Sequence, residues 1–148
     1  MPKNAFVGLP SVGQIGVVVP NVDRAVEFFS QTLGLGPFRV VERERVGAMV
    51  RGKTTTYRLK VALAQIGDLE LELIQPLAGD SLQMEFAGAK GAGLHHLGFF
   101  VHDIQKYIDA FAQRGYAVIQ SDRTQSPHFA YLDTEAEAGF MLELIERE

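Results

Sequence analysis

Hydrophobic and polar positions along the chain run through one cycle and then repeat it. Residues 15–19 form a β-branched apolar run, the pattern of a buried strand. Pro20-Asn21 ends the run, and Asn21 is a residue type that caps helices through its side chain. Val22, Val26, Phe29 and Leu33 follow at helical spacing, with Arg24 and Glu27 on the other face and Gly34 placed for a helix C-terminus. Residues 38–45 read as a second strand and 51–56 as a polar loop. Residues 57–66 and 69–75 read as two strands joined by a tight turn at Gly67-Asp68. A glycine-bearing connector follows, with a short helix expected over 81–86 and a flexible stretch over 87–93. The plan then restarts. Residues 96–101 predict a strand, Asp103 a cap, and Ile104, Ile108 and Phe111 the stripe of a helix ending before Gly115; strands are expected at 116–120, 129–133 and 140–145.

The order βαβββ occurs twice, with module one over about 13–77, a connector over 78–94 and module two over about 95–148, in a single domain. The expected class is α+β: a curved, cup-shaped, mixed or antiparallel sheet with helices on its convex face. Strand alternation assigns the faces. Ile15, Val17 and Val19 turn to the helices, leaving Gln14, Gly16 and Val18 for the cup. Leu69, Leu71 and Leu73 leave Glu70 and Glu72; Leu97, Phe99 and Val101 leave His96, Gly98 and Phe100; Leu142 and Leu144 leave Glu143. Gln14 and His96 are equivalent positions of the repeat, as are Glu72 and Glu143. All four are metal-ligating types on one face. Two carboxylates in a partly apolar cup repel and are costly to desolvate, and a divalent cation relieves both effects.

Composition narrows the function classes. The 148 residues carry a net charge of −4 with no basic patch, against nucleic-acid binding. There is no cysteine, which removes thiolate chemistry and sulfur-ligated metals. Residues 1–11 lack the apolar core of a signal peptide, and no apolar run approaches membrane-spanning length, so a cytoplasmic protein without membrane contact is expected.

In the order and spacing of Leu71-Glu72-Leu73-Ile74-Gln75-Pro76-Leu77, Gly93-Leu94-His95-His96 and Val101-His102-Asp103-Ile104, the chain resembles the vicinal oxygen chelate superfamily, which includes glyoxalase I, methylmalonyl-CoA epimerase, extradiol dioxygenases and bleomycin-resistance proteins. The resemblance is nearest to the epimerase-like branch. It implies metal ligation by Gln14, Glu72, His96 and Glu143, although epimerases usually carry histidine where this chain has Gln14; some glyoxalase I enzymes carry glutamine there. One histidine with two glutamates and an amide is not the two-histidine, one-carboxylate set of non-haem iron dioxygenases, and suits one divalent ion: Zn, Ni, Co, Mn or Mg.

The expected function is a metal-dependent isomerase, epimerase or lyase that transfers a proton next to a carbonyl through a metal-chelated enolate, with Glu143 as base and Glu72 beside it in the catalytic site. A glyoxalase I (lactoylglutathione lyase)-like enzyme and a non-catalytic small-molecule binding protein are the alternatives. Lys60 is a weak substrate-binding candidate, near where epimerases place a second acid; its plainer reading is an exposed rim lysine. His128 and Tyr131 are weak candidates too, and alternation admits only one of them to the cup. His95 is expected to face away, packed and hydrogen-bonded, with His102 at the surface and the pairs Phe28-Phe29 and Phe99-Phe100 mostly in the core. A small-molecule substrate and a homodimer complete the expectation.

Overall fold

Eight strands close into one barrel in the structure, a computed structural model that describes residues 6–147. The first five residues, part of the stretch screened for a leader, lie outside it. In chain order the elements are β1 (Gln14–Val18), α1 (Val22–Glu27), a π-helical turn (Phe28–Thr32), β2 (Arg39–Val50), β3 (Lys53–Ile66), β4 (Leu69–Ala78), α2 (Leu82–Lys90), β5 (Gly93–Val101), α3 (Ile104–Gln113), β6 (Val118–Asp122), β7 (Phe129–Leu132), α4 (Glu135–Ala138) and β8 (Met141–Glu146). The order around the barrel is β1-β4-β3-β2-β6-β7-β8-β5. β1 runs parallel to β4 and β5 parallel to β8, and the remaining neighbours are antiparallel.

The modules join on two sides. β1 and β5 pair along their length, whereas β2 and β6 share only Met49↔Ser121 and Val50↔Gln120. That short seam turns the expected cup into a closed mixed sheet within an α+β fold. Outside it, Val22 of α1 packs with Ala62, Leu71 and Leu73, and Ile104 and Phe111 of α3 pack with Phe99, Leu132 and Leu144. Each fully buried aliphatic side chain in these layers contributes about 1.5–3 kcal/mol.

The repeat extends to side-chain caps. Asn21 Oδ1 accepts from Arg24 N at 3.0 Å, and Asp103 Oδ1 from Lys106 N at 3.3 Å. The last strand of each module also caps that module's first helix: Gln75 Oε1 accepts from Val22 N, and Glu146 Oε2 from Ile104 N, both at 2.9 Å. These bonds satisfy amide donors that a helix start leaves unpaired.

The structure departs from the sequence expectation in four places. Residues 51–56 are not a loop: β2 continues to Val50, Arg51-Gly52 make a two-residue turn at φ 51° and 79°, and β3 begins at Lys53. Thr54, Thr55 and Thr56 are β-branched, and polarity alone concealed a strand that projects into solvent. The helical stripe breaks after Glu27, where the wider π turn, bonded from Leu33 N to Phe28 O, leaves Leu33 and Phe28 exposed. The 87–93 stretch is helical through Lys90. α2 also does not lie on the convex face. Phe86 packs on Val18, Val61 and Ile74, and Leu82 on Phe129, Tyr131 and Met141, so this helix seals one side of the barrel interior. Among the described residues, no helix is long and apolar enough to cross a membrane.

Candidate metal centre

Four contiguous strands, β8, β5, β1 and β4, bring the repeat's four equivalent side chains together. His96 is fully buried. Its Nε2 lies 2.7 Å from Gln14 Oε1, 3.1 Å from Glu143 Oε1 and 3.6 Å from Glu72 Oε1. Ligand atoms of Glu72, His96 and Glu143 all fall within 4.8 Å of one another. Gln14 is oriented by its amide, whose Nε2 donates to Glu70 Oε1 at 2.7 Å and leaves Oε1 aimed at the cluster.

Glycine makes this approach possible. A Cβ on Gly16 would stand 2.0 Å from His96 Cε1, and a Cβ on Gly98 would stand 2.9 Å from Gln14 Cβ. The two glycines are themselves equivalent in the repeat, and each leaves room for the other module's ligand. A bulge in β5 adds a second adjustment. Gly16 pairs with His96 and Val17 with Leu94, so His95 is the extra residue and its side chain is carried to the inner side. This corrects the expectation that His95 faces away. It is packed and hydrogen-bonded as expected, against the Phe86 and Tyr131 rings, with its Nδ1 2.9 Å from His96 Nδ1.

The electrostatics are those of a cation site. Burial pushes the Glu72 carboxyl up to about 7; His96 opposes that shift and Glu143 adds to it. Burial alone would lower the His96 imidazole, but the Glu143 carboxylate, by charge and hydrogen bond, and Glu72 hold it above its usual value. His95 is driven to about 3 by burial and by the neighbouring His96 and Lys90, so it stays neutral and accepts a hydrogen bond. Without a metal, a proton on His96 is the charge that ties the carboxylates together. One imidazole, two carboxylates and an amide oxygen in a buried cluster fit a divalent cation.

The weak candidates separate. Tyr131 stands opposite Glu143 in the β7–β8 ladder, with its hydroxyl accepting from Gln83 Nε2; burial and the two glutamates hold its pKa well above normal. His128 points the other way, with Nδ1 3.2 Å from Glu146 Oε1. Lys60 also faces out of the barrel, where its Nζ pairs with Asp23 of α1 at 2.7 Å, because Leu59, Val61 and Leu63 take the inner face of β3. His102 is exposed, as expected.

Beside the cluster lies a cavity of about 220 Å³. Its far wall holds residues to which the sequence reading gave no role: Arg39, Arg43 and Arg45 of β2, and Tyr57 of β3. Period-two alternation along β2 carried the signal. Arg45 is buried, 3.3 Å from Asp122 Oδ2 and over the Phe129 ring. Gln120 Nε2 donates to Tyr57 at 3.2 Å and to Gln83 Oε1 at 3.1 Å, and Gln83 Nε2 donates to Tyr131 at 3.0 Å, a buried relay anchoring α2 to the walls.

The sequence model of the Glyoxalase/Bleomycin resistance protein/Dioxygenase superfamily matches residues 13–131. An uncharacterized protein of Bacillus subtilis (strain 168), YqjC, is 28% identical over 137 residues, 89% of each chain. A methylmalonyl-CoA epimerase solved with methylmalonyl-CoA and NH4+ superposes with a TM-score of 0.74 at 22% identity, covering 94% of this chain and 95% of that one. The Mycobacterium tuberculosis methylmalonyl-CoA epimerase gives 0.68 at 19% identity over 99% and 95%. A hypothetical protein from Bacillus halodurans C-125 gives 0.69 at 22% over 93% and 94%.

Proposed function

Since the chain belongs to the glyoxalase/bleomycin resistance protein/dioxygenase superfamily, we propose that it is a metal-dependent isomerase or lyase, methylmalonyl-CoA epimerase-like, that moves a proton on the carbon beside a substrate carbonyl. The observation that carries this reading is the convergence of Gln14, Glu72, His96 and Glu143 on one buried point beside a cavity. These four residues hold a divalent ion. When bound, the ion would supply the Lewis acidity that makes a proton on the carbon beside a carbonyl removable near neutral pH.

The chain's own groups do the rest. Glu143 is the base: it lines the cavity, opposite Tyr131 in the β7–β8 ladder. Gln14, Glu72 and His96 would hold the ion, leaving the Glu143 carboxylate to accept the proton. Of the cavity's other carboxylates, Glu70 is engaged by Gln14 and Glu72 is a ligand, and the β2 wall carries arginines. Return of the proton by Glu143 serves a shift between neighbouring carbons on one face, whereas inversion at a single carbon requires return from the opposite face by another group. His95 accepts from His96 Nδ1–H and so presents the Nε2 lone pair to the ion.

The test is proton exchange in deuterated water with protein loaded with Mn²⁺, Co²⁺, Ni²⁺ or Zn²⁺, on acyl-CoA esters and hemithioacetals, read by NMR. Metal-dependent exchange at the carbon beside the carbonyl, lost in Glu143→Gln, is the expected result. Stoichiometric binding without exchange, surviving chelation, would replace this reading with that of a binding protein.

A further inference from the structure

The cavity has two unlike walls. The metal-ligating residues occupy four adjacent strands, and β2 lies four strands around the barrel from β5, which carries His96. Register places Arg39 in the row Arg39↔Leu63↔Glu72, two ladder steps from a ligand, or about 10 Å between backbones. Arg43 stands one inward position beyond Val41 on the same strand.

Four of the chain's nine arginines line this cavity and none of the four lysines among the described residues does, in a protein of net charge −4. Two of the four are occupied. Arg45 pairs with Asp122, and Arg147 lies 3.4 Å over the Phe100 ring. Arg39 and Arg43 make no hydrogen bond or ion pair among the described residues; both are at least partly exposed, at the opening of the cavity. Guanidinium presents a planar fork of donors matched to carboxylate or phosphate, a geometry lysine lacks. The carboxylates nearest them are committed to the metal cluster and to Gln14.

We infer that Arg39 and Arg43 bind a second anionic group on the substrate, a carboxylate or phosphate distinct from the oxygens that face the metal. The substrate is then a small acid spanning the cavity, with its carbonyl or hydroxyl end at the Gln14, Glu72, His96, Glu143 cluster and an anionic tail on β2. The cavity holds the liquid volume of roughly seven water molecules, which suits a compact acid and leaves any larger carrier outside. The metal-facing half of this inference rests on the function proposed above.

The experiment is calorimetric titration of the Co²⁺-loaded protein with lactate, malate and 3-phosphoglycerate. All three present the same 2-hydroxycarboxylate, and they differ in a methyl, a carboxylate or a phosphate tail. Malate, 3-phosphoglycerate or both should bind at least about tenfold more tightly than lactate, and the Arg39→Gln/Arg43→Gln double variant should reduce them to the lactate level. Which tail gains more separates carboxylate from phosphate. Equal affinity for all three, a preference that survives the double variant, or no binding of either charged-tail probe at millimolar concentration overturns the inference. Repeating the series without metal keeps the two readings apart. If the tail preference persists while lactate binds equally well with and without Co²⁺, the arginine wall stands and the metal centre falls.

Discussion

Gly16→Ala tests how tightly the metal site is drawn. The added methyl would lie 2.0 Å from His96 Cε1, 2.3 Å from Nδ1 and 2.4 Å from Nε2. Ordinary contact begins near 3.4 Å, so the ring must retreat by 3.4 − 2.0 = 1.4 Å. That is several times the tolerance of about 0.2 Å in a metal–ligand distance. The ring has nowhere to go, because the His95 and Tyr131 rings enclose it at centroid separations of 5.2 and 5.3 Å. Overpacking of this kind costs about 1–3 kcal/mol of stability, and displacing a ligand should weaken metal affinity by at least the order of 100-fold. Gly88→Ala is the control: it makes the same chemical change in α2 where nothing lies within 4 Å, and should leave metal affinity unchanged while adding about 0.5–1 kcal/mol of stability. Competition of each protein with a chelator for Co²⁺, beside melts of the metal-free forms, reads both effects. A Gly16→Ala protein that binds Co²⁺ within about threefold of the native chain refutes the reasoning.

Further outcomes follow from the same contacts. The folded state holds the Glu72 and His96 protons more tightly than the unfolded chain: the Glu72 stabilisation is complete below about pH 4.5 and is lost as pH rises through about 7, and that of His96 is lost as pH rises through its own raised value. Metal-free Glu72→Gln should therefore melt above the native chain at about pH 8 by more than it does at about pH 5, and an equal gain at both would exclude the buried-carboxylate account. Asp122→Ala strands the buried Arg45 guanidinium and should cost about 3–5 kcal/mol in urea unfolding; a loss below about 1 kcal/mol would mean that the pair is solvated. Gln75→Ala and Glu146→Ala each remove a cap from their module's first helix and should cost about 1 kcal/mol, with the larger loss at Glu146, which also pairs with His128; a loss at neither in thermal melts would mean that the caps do not hold the helices.

The repeat was legible because its period-two and helical patterns recur with the same corner residues. Gln14 and His96, and Glu72 and Glu143, could be paired on sequence grounds alone, and the structure brings them together. Side-chain chemistry within each strand carried that far and no further. His95 was misplaced because a bulge breaks alternation, and its cause lies across the sheet: the empty space at Gly16 that seats the His96 ring. Lys60 was left between two readings, the cup and the rim, for a different reason, and the structure takes the outward one. Its neighbours Leu59, Val61 and Leu63 are apolar, and apolar residues line the barrel interior as well as the helix interface. The arginines of β2 escaped because each is an ordinary surface residue until the barrel closes and sets that strand opposite the metal ligands. The buried relay of Gln83, Gln120, Tyr57 and Tyr131 joins three strands and a helix from distant parts of the sequence, and no local pattern announces it.

The central claim is that one divalent ion is held by residues from both modules. Elemental analysis of the untagged protein, beside the Glu72→Ala/Glu143→Ala double variant, tests it most directly. The account predicts about one equivalent of divalent metal in the native chain and none in the variant. An absence of metal from both, persisting after exposure to Mn²⁺, Co²⁺, Ni²⁺ and Zn²⁺, would contradict it and leave the two glutamates as the polar lining of a ligand cavity.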